Sequence, residues 1–351
     1  MYNENVLIYG LGNFYHQNEK AISETYNIQA YVDIKRHGCY AGKEIITIDR
    51  IGQYDFDKIL IMVFDVQECI RIAEELVKKG VHAEQIVLGN SLYSSWKTCM
   101  DRIIVLYEKN EIKLMLSVNG VTVKIRSKDE FYNAYDALVN QIWNYSINNG
   151  REDVVLDVGM NIGDTVLYFL NKRNVRKVYG YEPFRETYED AVENLQDYLQ
   201  CTEQVEVFPY GISNENAGRV IGFNRDMTCG QSTIPSIREE AYAWYHGEGL
   251  AKIENEEQEK IQVRDAAEVF RPIMEEYVGC NMVLKMNCEG EEYAILERLA
   301  SEQLLDRFAV IMLEWHYKGK DGILKYLDAA GFTYWCQDKE RNMGLVYACS
   351  G

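Results

Sequence analysis

Asp157, Gly159, Gly163 and Asp164 stand together directly after an apolar run, Val154 to Leu156. The run reads as a short buried strand, and the periodic stretch through Val166, Leu167, Phe169 and Leu170 as the helix that follows it. A strand passing through a glycine turn into a helix aims free backbone N–H groups at the strand's C-terminal edge, and glycine there lets a ligand approach the main chain. Any tight strand-to-helix turn in an α/β domain shares those features, so a second signal is needed. It comes from Lys177-Val178-Tyr179-Gly180-Tyr181, another strand, which ends in Glu182-Pro183. An acid in that place can accept hydrogen bonds from both hydroxyls of a ribose. The phosphate-binding pattern G-x-G-x-x-G is missing here and an acid precedes the first glycine. The expected ligand is therefore a nucleoside without a pyrophosphate, with S-adenosylmethionine the leading candidate.

Further along, Met282-Val283-Leu284-Lys285-Met286 is apolar except for Lys285 and runs into Asn287-Cys288-Glu289-Gly290, with a helix expected from Glu291 to Leu299. Burying an unpaired ammonium costs several kcal/mol. A pair with Glu289 or Asp157 would answer that, and so would snorkelling at a strand end. The strand Phe308 to Leu313 delivers Glu314 and His316 to the same edge. Ligands of doubly wound sheets sit where strand C-termini converge, so Asp157, Glu182, Asn287, Glu289 and His316 are expected to meet.

Four of these stretches, in this order, resemble the FkbM-type family of S-adenosylmethionine-dependent methyltransferases: Val155-Leu156-Asp157-Val158-Gly159-Met160-Asn161-Ile162-Gly163-Asp164, Gly180-Tyr181-Glu182-Pro183, the run from Leu284 to Tyr293, and Leu313-Glu314-Trp315-His316. The resemblance implies a donor site formed by Asp157, Gly159, Asn161, Gly163 and Glu182, with Asp164 completing the first motif. It also implies a Rossmann-like α/β methyltransferase fold: a mostly parallel seven-stranded sheet with an antiparallel closing strand. Phe332 to Cys336 and Gly344 to Ala348 match the closing antiparallel pair. The chain departs from the family at Asn287, where aspartate is usual, and at Met160, where alanine is usual. Asparagine removes a negative charge from the reaction edge but can still position a hydroxyl by hydrogen bonding.

Methyl transfer from a sulfonium is an in-line displacement. It requires donor and acceptor held at roughly 3–3.5 Å, and a proton acceptor if the nucleophile is a hydroxyl. A base is worth about 100- to 10,000-fold in rate. His316 is the first candidate, since an unperturbed imidazole titrates near neutrality. Glu289 is the second, as base or as the group that orients His316 or Lys285. Their plain counterparts are a histidine packed beside Trp315 and an acid favoured by a helix N-terminus. The expected activity is O-methylation of a small-molecule or glycan hydroxyl. The alternatives are an inactive methyltransferase fold serving as a scaffold and an NAD-dependent oxidoreductase.

That last alternative comes from residues 1–95, which alternate strand and helix as a smaller α/β, Rossmann-like domain. Strands are expected at Asn5–Tyr9, Ala30–Val32, Lys58–Val63 and Gln85–Leu88, with a helix from Gln67 to Lys79. Gly10-x-Gly12 with Asp33 outlines a dinucleotide site. Tyr15, however, holds the third glycine position, where a side chain crowds the helix–strand contact. The segment resembles nucleotide-binding-like domains attached to sugar-modifying enzymes, with packing, dimerisation or substrate presentation as its competing roles. Residues 96–150 are expected to form a cover: a hairpin about Asn119-Gly120 and a helix from Asp129 to Tyr145. The methyltransferase domain then spans 151–351. Within it, the helix from Arg185 to Gln200 is expected to present Tyr188, Val192, Leu195 and Leu199 to the sheet. Gly218 to Phe223 is read as a β-extension, and Asn224 to Lys260, with Tyr242, Trp244 and Tyr245, as a lid, substrate loop or surface excursion.

The 351 residues have room for two cores, and 47% hydrophobic content with only four prolines argues for a folded chain. With 55 acids against 37 bases, a net charge of −18, nucleic acid and anionic membrane are disfavoured as partners. Nine scattered cysteines without a paired spacing suggest neither a metal site nor a disulfide framework, and the N-terminus lacks a signal-like segment, so a cytoplasmic protein is expected.

Overall fold

The computed structural model describes residues 4–224, 228, 230–234, 257–339 and 343–351. They fall into two compact units, Met1–Tyr135 and Asp136–Gly351.

The first unit holds strands β1 (Asn5–Tyr9), β2 (Asn27–Val32), β3 (Gly38–Tyr40), β4 (Lys43–Ile46), β5 (Lys58–Ile61) and β6 (Ile86–Leu88) in one sheet of order β3-β4-β2-β1-β5-β6. All its neighbours are parallel except the β3–β4 pair. Helices α1 (Asn13–Thr25) and α2 (Val66–Lys78) connect the strands. Asp65 caps α2 by accepting from the Glu68 N–H, and Val66, Cys69, Ile70, Ala73 and Leu76 are buried along one side. Short helices α3 (Gly89–Tyr93) and α4 (Trp96–Cys99) lead to an antiparallel meander of β7 (Arg102–Glu108), β8 (Glu111–Val118) and β9 (Val121–Ile125). Asn119 and Gly120 form the β8–β9 turn, both with positive φ, as a two-residue hairpin of primed type requires. Helix α5 spans Lys128–Leu138, shorter than the periodicity predicts. Its end coincides with the Asn140 amide bonding to the Asp136 carboxylate and with Gln141 at φ 51, which takes Ile142 out of the helix.

In the second unit, strands β10 (Asp153–Val158), β11 (Val175–Tyr181) and β12 (Val205–Phe208) belong to the seven-stranded sheet, and β13 (Gly211–Ser213), β14 (Ala217–Phe223) and β15 (Glu257–Asp265) form a smaller one of order β13-β15-β14. The large sheet continues through β16 (Asn281–Met286), β17 (Phe308–His316), β18 (Phe332–Lys339) and β19 (Met343–Ser350), in the order β12-β11-β10-β16-β17-β19-β18. Only β19 runs against its neighbours. The order reverses at β10, where β11 leaves on one side and β16 on the other, the kind of place at which open α/β sheets bind ligands. Burial on both faces explains why β10 and β16 read as near-continuous apolar runs.

Helices α6 (Asp164–Leu170), α7 (Arg185–Cys201), α8 (Ala266–Glu276), α9 (Glu292–Ser301) and α10 (Asp321–Ala329) complete this unit. On α7 the expected Leu195 is buried and the Tyr188 hydroxyl donates to Val207 O of β12 at 3.3 Å, while Val192 and Leu199 are half-buried and Thr187 and Ala191 join the buried line. Ala191 and Leu195 pack against the Gly163 turn. The β-extension forms as expected, antiparallel to β15. The segment read as irregular therefore ends in a regular strand from Glu257, and its centre, with Tyr242, Trp244 and Tyr245, lies outside the described residues. No helix among the described residues is long and apolar enough to cross a membrane.

Gly159 sets the tightest constraint in this unit. It has φ +74, and a Cβ on it would collide with the Asn287 carbonyl oxygen. Gly159→Ala is therefore expected to cost more than the roughly 1–3 kcal/mol of backbone strain alone. Denaturant midpoints of variant and wild type check this.

Candidate active site

The register of the large sheet sets Asp157 of β10 directly beside Lys285 of β16. In-register residues of parallel neighbours point to the same face, so the two charges meet: Lys285 Nζ lies 2.8 Å from Asp157 Oδ1, with both side chains almost fully buried. The ammonium also donates to the Gly159 carbonyl at 2.7 Å and lies 5.3 Å from the Trp143 ring centre. Thr165 Oγ1 donates to Asp157 Oδ2 at 2.5 Å. Lys285 is thus paired with Asp157, not Glu289, and its work is to tie β10, β16 and the glycine turn together. Asp164, also buried, is pushed up to about 7 by burial, with Lys285 pulling it down and Asp157 adding to the rise.

The turn itself differs from the expectation of free N–H groups. The Gly159 and Met160 amides both donate to the Tyr181 carbonyl, at 3.0 and 3.1 Å. Gly163 N–H bonds to Met160 O at 2.9 Å. Glycine at 159 makes room for the Asn287 carbonyl rather than for a ligand. Asn161 stands in left-handed conformation at φ 49, which turns its N–H onto Glu182 Oε2 at 3.2 Å. Glu182 Oε1 accepts from Phe184 N–H at 3.1 Å. Two backbone donors thus fix this buried carboxylate, and burial still raises its pKa to about 7. Each oxygen keeps acceptor capacity, and no cation lies in contact with the carboxylate among the described residues. Two hydroxyls of a ribose diol could donate to that acceptor set. Met160 fills the space over Gly180, which accounts for a glycine in the middle of β11.

The end of β16 and the end of β17 build a second cluster. Glu292, at the start of α9, is wholly buried and accepts from Cys288 N–H at 3.1 Å, Gly290 N–H at 2.8 Å and His316 Nδ1 at 3.0 Å. His316 Nε2 is 3.5 Å from Glu289 Oε1. Burial lowers the histidine pKa, but Glu289 and Glu292 together outweigh it and raise the value to about 10. The argument from an unperturbed imidazole therefore does not carry over: at neutral pH His316 is an imidazolium held between two carboxylates. Glu289, at φ 52, is raised by burial, with His316 opposing the rise. Asn287 follows β16, its N–H bonded to Val158 O at 3.0 Å, and its buried Oδ1 has no hydrogen-bond partner among the described residues.

Two residues escaped the sequence reading. Glu292 and Glu291 sit beside the motif, in a run of acids that looks like an ordinary helix start. Glu291 is buried and pairs with Arg219 while accepting from Ser213 Oγ and Thr233 Oγ1, each at 2.7 Å, so it fastens the small sheet to α9. Only their surroundings distinguish these acids from solvated ones.

In the first unit, Asp33 accepts from Leu11 N–H at 3.0 Å, Lys35 N–H at 2.8 Å and Arg36 N–H at 3.0 Å. Tyr15 is fully buried, its hydroxyl 3.0 Å from that of Tyr31. It fills the space that the third glycine of a dinucleotide turn leaves for close helix–strand contact.

Lys285→Met alone is expected to lose about 3–5 kcal/mol of stability, because it strands a buried carboxylate, and Lys285→Met with Asp157→Asn to recover part of that loss. Denaturation of both variants checks it. His316 has a raised folded-state pKa, so its contribution is complete below about 6.5 and lost as the pH climbs towards about 10. A stability–pH profile that falls across this window in wild type, and falls less in His316→Gln, is the expected result.

Comparison with known proteins supplies the family. The Methyltransferase FkbM domain matches residues 157–334, more than half of the chain, and a domain described as C2185-like, N-terminal, matches residues 2–87. No curated protein matches the chain. Among solved structures, the methyltransferase FkbM from Methylobacillus flagellatus KT is 14% identical, with 98% of this chain and 89% of that one covered and a TM-score of 0.37. Streptococcus pneumoniae Sp1610, a putative tRNA (m1A22) methyltransferase in complex with S-adenosyl-L-methionine, is 12% identical over 57% of this chain and 67% of that one, at 0.33. M. capricolum TrmK, in complex with S-adenosyl-homocysteine, is 10% identical over 60% and 66%, at 0.30. With its FkbM domain covering the switch point of the large sheet and all the acids gathered there, the chain belongs to the FkbM methyltransferase family.

Proposed function

We propose that the chain is an S-adenosylmethionine-dependent O-methyltransferase acting on a hydroxyl of a sugar, glycan or secondary metabolite. The observation that carries the reading is Glu182: a buried carboxylate, oriented by two backbone N–H groups that lower its pKa less than burial raises it, to about 7. Ribose hydroxyls supply further donors. When bound, S-adenosylmethionine supplies an electrophilic methyl group on a sulfonium. The chain's own part is to hold the turn rigid through Asp157 and Lys285 and to receive the acceptor hydroxyl. For that second task Glu289 replaces His316 as the proton acceptor, since the imidazolium has no free base to offer. His316 positions Glu289. The reacting O–H is directed to Glu289, and the unpartnered Asn287 Oδ1 accepts from a neighbouring hydroxyl of the acceptor, a role asparagine can fill without charge. A sugar acceptor accords with the resemblance of the N-terminal segment to domains attached to sugar-modifying enzymes.

Glu182→Ala is expected to weaken donor binding by about 100-fold or more, the worth of two charge-assisted hydrogen bonds, measured by calorimetry with S-adenosylmethionine. Because the ionised form accepts those bonds, wild-type affinity should fall as the pH drops below about 7. Methyl-labelled donor incubated with glycan or metabolite extracts should label a hydroxyl-bearing product with wild type and not with Glu289→Gln. Binding without transfer to any extract would leave the fold a scaffold and defeat the catalytic reading.

A further inference from the structure

Glu289 stands at φ 52, in the left-handed region, which a residue with a side chain keeps only where its surroundings impose it. Part of the constraint is local. The amides flanking its own, Cys288 N–H and Gly290 N–H, both bond to the Glu292 carboxylate, at 3.1 and 2.8 Å. The rest arrives from 57 positions away, where Ser232 Oγ donates to the Glu289 carbonyl at 2.6 Å. The same hydroxyl accepts from Ile234 N–H at 3.0 Å, which sets its rotor and commits its one proton to the carbonyl. Ser232 is fully buried.

The stretch 230–234 is itself fastened from behind. Thr233 Oγ1 donates to Glu291 Oε1 at 2.7 Å, and Arg219 reaches the Thr233 carbonyl at 3.3 Å while pairing with Glu291. A backbone hydrogen bond from Gly230 falls on the Glu289 carboxylate, so one segment grips both the main chain and the side chain of this residue. The carboxylate's side-chain contacts are long by comparison: 3.5 Å to His316 Nε2 and 3.5 Å to the Tyr317 hydroxyl. Contacts of that length are too weak to aim a side chain as flexible as glutamate. The aim comes from the backbone that carries it.

We propose that Ser232 is a positioning residue: by clamping the Glu289 carbonyl it fixes the left-handed turn that points the Glu289 carboxylate at His316 and towards the acceptor hydroxyl. The part concerning the acceptor rests on the proposed methyl transfer; the hold on Glu289 does not. A serine that only satisfied a buried carbonyl would cost stability when removed and leave the Glu289–His316 contact as it is.

His316 reports where Glu289 lies. Glu289 and Glu292 face its ring, Glu314 adds to them, and together they hold its pKa up to about 10. NMR titration of the full chain reads that value, with the His316 signal, one of five histidines, assigned by its loss in His316→Gln. Ser232→Ala should weaken proton binding at His316 about tenfold. Ser232→Cys, which fills the same space with a weaker donor, should show a smaller loss in the same direction, and it carries the comparison if the alanine variant does not fold. In a Glu289→Gln background Ser232→Ala should add nothing. Label transfer from methyl-labelled S-adenosylmethionine into a glycan extract should slow about tenfold in Ser232→Ala, part of what a base is worth, with the calorimetric affinity for S-adenosylmethionine unchanged. An unmoved His316 titration in the serine variants, or an equal loss with and without Glu289, would overturn the role of Ser232. A wild type that transfers no label would defeat the methyltransferase reading instead, and the titration would still decide the hold on Glu289.

Discussion

One buried ion pair fixes the methyltransferase unit. Lys285 and Asp157 meet because β10 and β16 pair in a register that places them side by side, and the same ammonium reaches the Gly159 carbonyl. Three things are set by that contact: the distance between the central strands at their ligand ends, the path of the glycine turn and the close approach of the Asn287 backbone. A hydrophobic pair could stabilise the sheet as well or better. What the charges add is direction, because an ammonium with two oxygen partners on different segments admits few arrangements.

With the turn so held, the Gly159, Met160 and Gly163 amides bond to the main chain, two of them to the end of β11, and the buried carboxylate of Glu182 keeps acceptor capacity. This inverts the logic of a phosphate-binding turn, where the backbone supplies the donors and the ligand the charge. In the proposed donor site the protein would supply the charge and the ligand the donors. The two neighbouring clusters treat similar residues differently. Glu292 is saturated with backbone and imidazole donors and serves structure, while Glu289, at the rim of the same cluster, makes a longer contact with His316.

Much of this arrangement was legible in the sequence. Strand ends at Asp157 and Glu182, the closing pair β18–β19, and the convergence of Asn287, Glu289 and His316 near one edge follow from apolar runs ending in acids and glycines. Lys285 could be recognised as needing a partner, and proximity then selected Asp157 over Glu289. Side-chain electrostatics were not legible. His316 looked like a neutral base because nothing in the local sequence shows that Glu289 and Glu292 both lie against its ring, Glu292 accepting from Nδ1 across 24 positions. On α7 Leu195 was legible, but Thr187 and Ala191 were not, because what draws Ala191 inward is the Gly163 turn, far off in sequence. The β3–β4 pair was missed because three- and four-residue strands carry too little periodicity to read.

The first unit keeps the outline of a nucleotide-binding sheet with its key positions filled from within: Asp33 by backbone amides, the third glycine position by Tyr15. The FkbM domain lies in the second unit, and the proposed donor site there centres on Glu182. A crystal structure of the chain soaked with S-adenosylhomocysteine tests that most directly. The account predicts both ribose hydroxyls within hydrogen-bonding distance of the Glu182 carboxylate, beside the Gly159–Gly163 turn. A nucleoside bound elsewhere, or bound there with its ribose turned away from Glu182, would contradict it.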